Sequence, residues 1–170
     1  MLKLIETGLP DVKVIEPDVF SDARGYFQEA FSQEKYRALG IHESFVQDNV
    51  SYSRKDVLRG MHYDSRMAKL VYVVYGRIYD VVVDNRAKAP TFTRWIAVEL
   101  SSENHRQIFV PAGFAHGFLT LSDEAIVVYK QTATYDPALE GGISWRDPRV
   151  EIPWPLDGRT PILSPKDAAL

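Results

Sequence analysis

Between Arg59 and Asp84 the chain reads RGMHYDSRMAKLVYVVYGRIYDVVVD. Valine, isoleucine and tyrosine at this density fit a pleated, half-buried surface better than a helix. Set into that run are His62, Lys69, Asp80 and Asp84, groups that cost free energy out of water unless something satisfies them. Alternate residues of a strand face opposite ways. Lys69, Val71, Val73 and Tyr75 therefore share one face, and Leu70, Tyr72 and Val74 the other. Tyr75-Gly76-Arg77 reads as a hairpin turn, with Gly76 supplying the backbone angles it needs. On the return strand Ile78, Asp80, Val82 and Asp84 lie together. Two carboxylates on that face make a lined cavity or a wet face, so the strand pair predicts a site.

The rest of the chain extends the pattern. Residues 12–16 alternate as a short strand, 21–25 carry turn chemistry and 26–31 return to strand character. Ser32 is placed to cap a helix over 33–39 that Gly40 ends. Short strands then recur at 45–53, 57–63, 69–84, 93–100, 107–110, 114–121 and 125–135. This spacing predicts an all-β chain, a β-sandwich or jelly roll. Beyond Tyr135 prolines and tryptophans mark an extended tail, and Ser164-Pro165-Lys166-Asp167 spells a helix start, where Asp167 can be a capping residue.

At 170 residues the chain predicts a single domain over 1–170. Twenty basic against 23 acidic side chains, a net charge of −3, give no support for nucleic-acid or membrane-surface binding. With no cysteine, disulfides, thiolate catalysis and Cys-zinc sites are excluded. Acid and proline interrupt the N-terminus too early for a secretory segment, and no apolar run approaches membrane-spanning length, so a cytoplasmic location is expected.

Four histidines, at 42, 62, 105 and 116, form no tight ligand pair. His62, Asp64 and His116 are the one conceivable metal set, against the two close histidines that metal-binding jelly rolls usually offer. The remaining tools are proton transfer and charge stabilisation. Each candidate has a plainer reading. His62 can be a satisfied structural histidine, Lys69 a charge guarding a strand edge, and Asp80 and Asp84 solvated carboxylates. His116 can be buried between Phe114 and Phe118, while Tyr129 and Tyr135 share parity and can face one cavity or belong to the core. Strict alternation sends Arg59 and His62 to opposite faces, so a shared cavity requires a bulge, predicted at Gly60.

Four blocks carry a resemblance: Phe45-Val46-Gln47-Asp48-Asn49, Val57-Leu58-Arg59-Gly60-Met61-His62-Tyr63, Pro111-Ala112-Gly113-Phe114-Ala115-His116-Gly117-Phe118 and Ser164-Pro165-Lys166-Asp167. In this order and at these intervals the chain resembles the dTDP-4-dehydrorhamnose 3,5-epimerase family from Asp11 to Asp167. The resemblance implies a cupin-type jelly roll without metal or other cofactor, a few short peripheral helices, and a homodimer that exchanges N-terminal strands. It implies a nucleotide-linked 4-keto-6-deoxy sugar as substrate, inverted at the carbons flanking the ketone through enolates. Within that scheme His62 is the base, Asp167 holds its tautomer, Lys69 stabilises the enolate oxygen and Tyr129 returns a proton from the opposite face. His116 contacts the sugar and Asp80 orients the cationic groups. Arg24, Arg59 and Lys166 meet the diphosphate. Glu29, Gln47 and Asn49 contact the nucleoside, Phe27 is a further substrate-binding residue, Tyr135 stacks on the base, and Glu140 closes the pocket.

The family usually carries Gln after the histidine, then a longer loop. This chain has Asp64-Ser65-Arg66-Met67-Ala68 there and a shorter loop, and some relatives acting on GDP-linked keto-heptoses are similarly short. A GDP-linked 4-keto-heptose and a non-catalytic nucleotide-sugar-binding cupin are the alternatives.

Overall fold

The structure is a computed structural model and describes residues 2–170. The strands among them are β1 (Lys3–Ile5), β2 (Lys13–Glu16), β3 (Val19–Asp22), β4 (Gly25–Gln28), β5 (Gln47–Arg54), β6 (Leu58–Tyr63) and β7 (Lys69–Tyr75). There follow β8 (Arg77–Asp84), β9 (Trp95–Ser101), β10 (Gln107–Val110), β11 (Phe114–Thr120), β12 (Glu124–Gln131) and β13 (Gly141–Gly142). Two short helices, α1 (Gln33–Ala38) and α2 (Pro165–Ala168), lie outside the sheets.

Two antiparallel sheets build a jelly roll. One has six strands in the order β1-β2-β10-β7-β12-β5, the other five in the order β13-β6-β11-β8-β9. Parity decides what lies between them. Val14, Val71, Val73, Ile108 and Val127 of the larger sheet meet Ile78, Val82, Leu100, Phe114 and Phe118 of the smaller one in a buried apolar core. The opposite parity of the larger sheet, Ile15, Leu70 and Phe109, is covered by Tyr36 of α1 and by Ile41. Outside the smaller sheet, Met61, Val81 and Val83 pack against Val150, Ile152 and Trp154 of the tail.

Several local expectations need correction. Ser32 makes no side-chain cap; its carbonyl accepts from the Tyr36 N–H at 3.0 Å. Tertiary anchoring fixes this helix instead, because the buried Tyr36 hydroxyl donates to Gln107 Oε1 at 2.5 Å. Residues 19–28 form a two-stranded hairpin turning at Ala23-Arg24, so the strand expected at 26–31 is shorter. The strand expected to reach Tyr135 ends at Gln131. Asp84 is fully buried rather than solvated, accepting from Arg86 Nε at 2.9 Å and from the Thr91 hydroxyl at 2.5 Å.

The bulge expected at Gly60 is present. His116 pairs with His62 and Phe118 with Arg59, so Gly60 and Met61 together oppose Gly117 alone. That extra residue rotates Arg59 onto the side that His62 faces. Gly60 has φ +118°, and a β-carbon there would sit 2.7 Å from both Gly117 Cα and the His116 carbonyl oxygen. The tail then brings α2 back: Leu58 N–H donates to the Ile162 carbonyl at 3.0 Å, and Ile162 N–H to that of Asp56 at 2.8 Å. Gly60→Ala is expected to lower the unfolding free energy by about 2 kcal/mol or more, through strained φ and backbone overlap. Denaturant titration beside the wild type checks this.

Candidate active site

A cavity of ≈ 300 Å³ opens between the sheets at one end of the roll. The alternation of β5 turns Asn49 and Ser51 inward, and the bulge of β6 does the same for Arg59 and His62. Lys69, Tyr129 and His116 come from β7, β12 and β11. His62 and Tyr129 therefore belong to opposite walls, one in the five-stranded sheet and the other in the six-stranded sheet.

His62 Nε2 lies 2.5 Å from Asp167 Oδ1. Asp167 also donates its backbone N–H to Ser164 Oγ at 3.1 Å, so it belongs to the first turn of α2 and still reaches the histidine with its side chain. The plain capping role thus falls to Ser164, leaving the carboxylate to orient the ring. His62 Nδ1 lies 3.9 Å from Glu140 Oε1, making Nδ1 the nitrogen available to a ligand. Glu140 is held by hydrogen bonds from Lys166 and from the Tyr135 hydroxyl.

Lys69 makes no hydrogen bond or ion pair among the described residues. Burial lowers its pKa, against the pull of Glu140, Asp80 and Asp64. A partly desolvated ammonium without a direct partner can meet negative charge developing on a bound ligand. Beneath it, His116 Nε2 lies 2.8 Å from Asp80 Oδ2, both side chains being buried. Asp80 Oδ1 has no hydrogen-bond partner among the described residues, and burial pushes this carboxyl up while His116 and Lys69 hold it down. Tyr129 OH lies 3.0 Å from Ser51 Oγ. Burial raises the phenol's pKa, opposed by that hydrogen bond and by the Arg59 charge.

At the mouth, Gln47 Oε1 accepts the Tyr135 N–H at 3.0 Å, and Gln47 Nε2 donates to Asn49 Oδ1 at 2.9 Å. Asn49 in turn donates to Gln131 Oε1 at 3.1 Å. Arg59 is steered by Ser53 Oγ at 2.9 Å. Within one chain Arg24, Phe27 and Glu29 stay away from this cavity. Asp22 clasps Arg24, Glu29 pairs with Lys35 at 2.9 Å, and Phe27 is 70% exposed on the hairpin. Asp64 does not join His62 and His116; it binds Arg66, and no group of three metal-ligating side chains forms among the described residues. Sequence reasoning overlooked Ser51 and Gln131, although both share the inward parity of residues it did single out.

A jelly roll whose end cavity sets a carboxylate-held histidine against a buried tyrosine from the facing sheet defines a cupin-type protein with the groups that acid–base chemistry requires. Comparison with known proteins gives the particular family. Residues 6–170 match the family described as dTDP-4-dehydrorhamnose 3,5-epimerase, and the chain belongs to it. It is 47% identical to the dTDP-4-dehydrorhamnose 3,5-epimerase of Salmonella typhimurium over 99% of this chain and 94% of that protein. The dTDP-6-deoxy-D-glucose-3,5-epimerase of Legionella pneumophila, solved in complex with dTDP-4-keto-L-rhamnose, superposes with TM-score 0.96 at 48% identity, over 99% of this chain and 91% of that one. The dTDP-4-dehydrorhamnose 3,5-epimerase of Bacillus anthracis, solved with TDP and pyrophosphate bound, gives TM-score 0.96 at 45% identity, over 100% and 98%.

Because Ser164 supplies the cap, Asp167→Asn is expected to leave the melting temperature and nucleotide affinity near wild type. Proton abstraction from substrate is expected to fall on the order of 10²-fold or more. Calorimetry and isotope exchange on the same preparation separate the two effects.

Proposed function

We propose that this chain inverts C3 and C5 of dTDP-4-dehydro-6-deoxy-D-glucose to give dTDP-4-dehydro-L-rhamnose. The observation that carries the reading is the placement of His62 and Tyr129 on opposite walls of one cavity that also holds the unpaired Lys69 ammonium. Inversion beside a ketone removes a proton from one face of the carbon and returns one to the other, through a planar enolate. A single shuttling group tends to return the proton to the face it left. His62, oriented by Asp167, takes the proton; Lys69 meets the charge growing on the ketone oxygen; Tyr129 supplies the new proton. The buried Asp80–His116 pair sets the field beside the sugar.

Arg59 and Lys166 at the mouth suit the diphosphate, and Tyr135 offers a ring to the base, with Gln47 and Asn49 beside it. Lys166 leaves Glu140 to do so, and Glu140 then closes over the sugar. Arg24, Phe27 and Glu29 complete the nucleotide site only from a second copy, so the working unit is a homodimer exchanging N-terminal segments. Support comes from the exposed Phe20, Tyr26 and Phe27 of the hairpin and from exposed Val46, Val50 and Tyr52 at the edge strand β5. The nucleotide-linked substrate fits the expected cytoplasmic location.

In deuterated water the protein is expected to place label at both C3 and C5 of dTDP-4-keto-6-deoxyglucose, read by NMR and mass spectrometry. His62→Ala is expected to abolish exchange at both carbons with dTDP binding retained; exchange surviving that change assigns the base elsewhere. For the shared site, inactive Arg24→Ala and His62→Ala chains refolded together are expected to recover about a quarter of wild-type activity, because half the dimers are mixed and each mixed dimer has one intact site. No recovery assigns each site to a single chain.

A further inference from the structure

Each inversion leaves the acid–base pair in the wrong state. His62 has gained the proton taken from carbon, and Tyr129, having lost one to the opposite face, is a phenolate. Before a second carbon can be inverted, His62 must release a proton to solvent and Tyr129 must regain one. The ring of Tyr129 packs on Phe118, with ring centroids 6.4 Å apart, and against the apolar core beneath. Its hydroxyl meets one hydrogen-bonding group among the described residues, Ser51 Oγ at 3.0 Å.

Ser51 stands opposite Val127 on the edge strand β5, with inward parity, and lines the cavity between Asn49 and Arg59 while remaining half-buried. It thus touches the phenol on one side and the open cavity on the other. We propose that Ser51 is the positioning residue that makes Tyr129 a usable acid, its hydroxyl donating to the phenolate oxygen and relaying the proton that recharges it. Protons balance along this route. Tyr129 O–H gives its proton to the enolate carbon, Ser51 O–H gives its own to the phenolate, and Ser51 takes one from water at the cavity mouth. His62 returns one proton to solvent, so no net proton is consumed.

A hydroxyl is needed because of the relay. While Tyr129 directs its single O–H at carbon, the serine can only donate to the phenol oxygen or stand aside, and after transfer it gives its proton to the anion and takes another from water on the same oxygen. A fixed donor such as an amide N–H could stabilise the anion but not pass a proton on. Burial makes the phenolate expensive, and hydrogen bonds to charged groups are the strong ones in such surroundings. Arg59, the nearby cation, is held by Ser53 Oγ and the Tyr52 carbonyl, so it assists through its charge rather than by contact.

The inference rests on the epimerase reading, and the test separates the two. With wild type, Ser51→Ala and Ser51→Thr, deuterium uptake at the reacting carbons and net inversion are followed in one sample. Ser51→Ala is expected to slow inversion on the order of tenfold while uptake by same-face return through His62 stays near the wild-type rate. Ser51→Thr, which keeps a hydroxyl, is expected to restore the ratio of inversion to uptake. An unchanged ratio in Ser51→Ala, or a threonine variant as impaired as the alanine, overturns the proposal. A readout independent of turnover uses a fluorinated tyrosine at position 129, whose phenol titrates in an accessible range. Ser51→Ala is expected to raise that titration by about one unit, and no shift overturns the proposal. A wild type that neither exchanges nor inverts removes the epimerase reading, and the titration still decides the role of Ser51 toward Tyr129.

Discussion

Charge inside a sandwich of two sheets must be met by something, and that requirement governs this structure more than any single apolar contact. At the open end of the roll the core changes from aliphatic side chains to imidazoles, carboxylates and an ammonium. His62 is met by Asp167 and His116 by Asp80. Among the described residues, Lys69 and one oxygen of Asp80 are left without a hydrogen-bond partner. Those two unmet groups mark where a ligand is expected to complete the electrostatics, and the apolar core further down supplies the stability that lets them stay.

The constraint also explains the irregular backbone. A regular β6 would turn either Arg59 or His62 out of the cavity, and the bulge at Gly60 turns both in. Only glycines at 60 and 117 let the strands approach with the extra residue between them. Local backbone irregularity is thus the means by which a period-two element presents two polar residues three positions apart to one ligand.

Much of this was legible in the sequence because strands have a fixed period. The parity of Lys69, the hairpin at Gly76 and the need for a bulge at Gly60 follow from counting residues. The cap on α1 was misread because Ser32 has the right composition for a local bond, while the helix is held by Tyr36 reaching Gln107, 71 residues away. Strand β13 is a pair of glycines with no side-chain pattern to read. Ser51 was overlooked since a serine in a strand is ordinary, and its meaning depends on Tyr129, which lies 78 positions further on. Arg24, Phe27 and Glu29 illustrate the opposite case. Motif resemblance assigned them to the nucleotide, but within one chain the hairpin holds all three away from the cavity, and no periodicity in the sequence indicates that.

The four-residue helix α2 carries both Asp167 and Lys166 and packs on β6 only after the tail has crossed the back of the smaller sheet. Both sheets are complete before this segment is made, since no strand lies beyond Gly142 among the described residues. During synthesis the sandwich can therefore form while its histidine still lacks an orienting carboxylate. The His62–Asp167 pair is thus assembled after the sheets, and a chain clipped before Asp167 would keep both sheets and lose that pair.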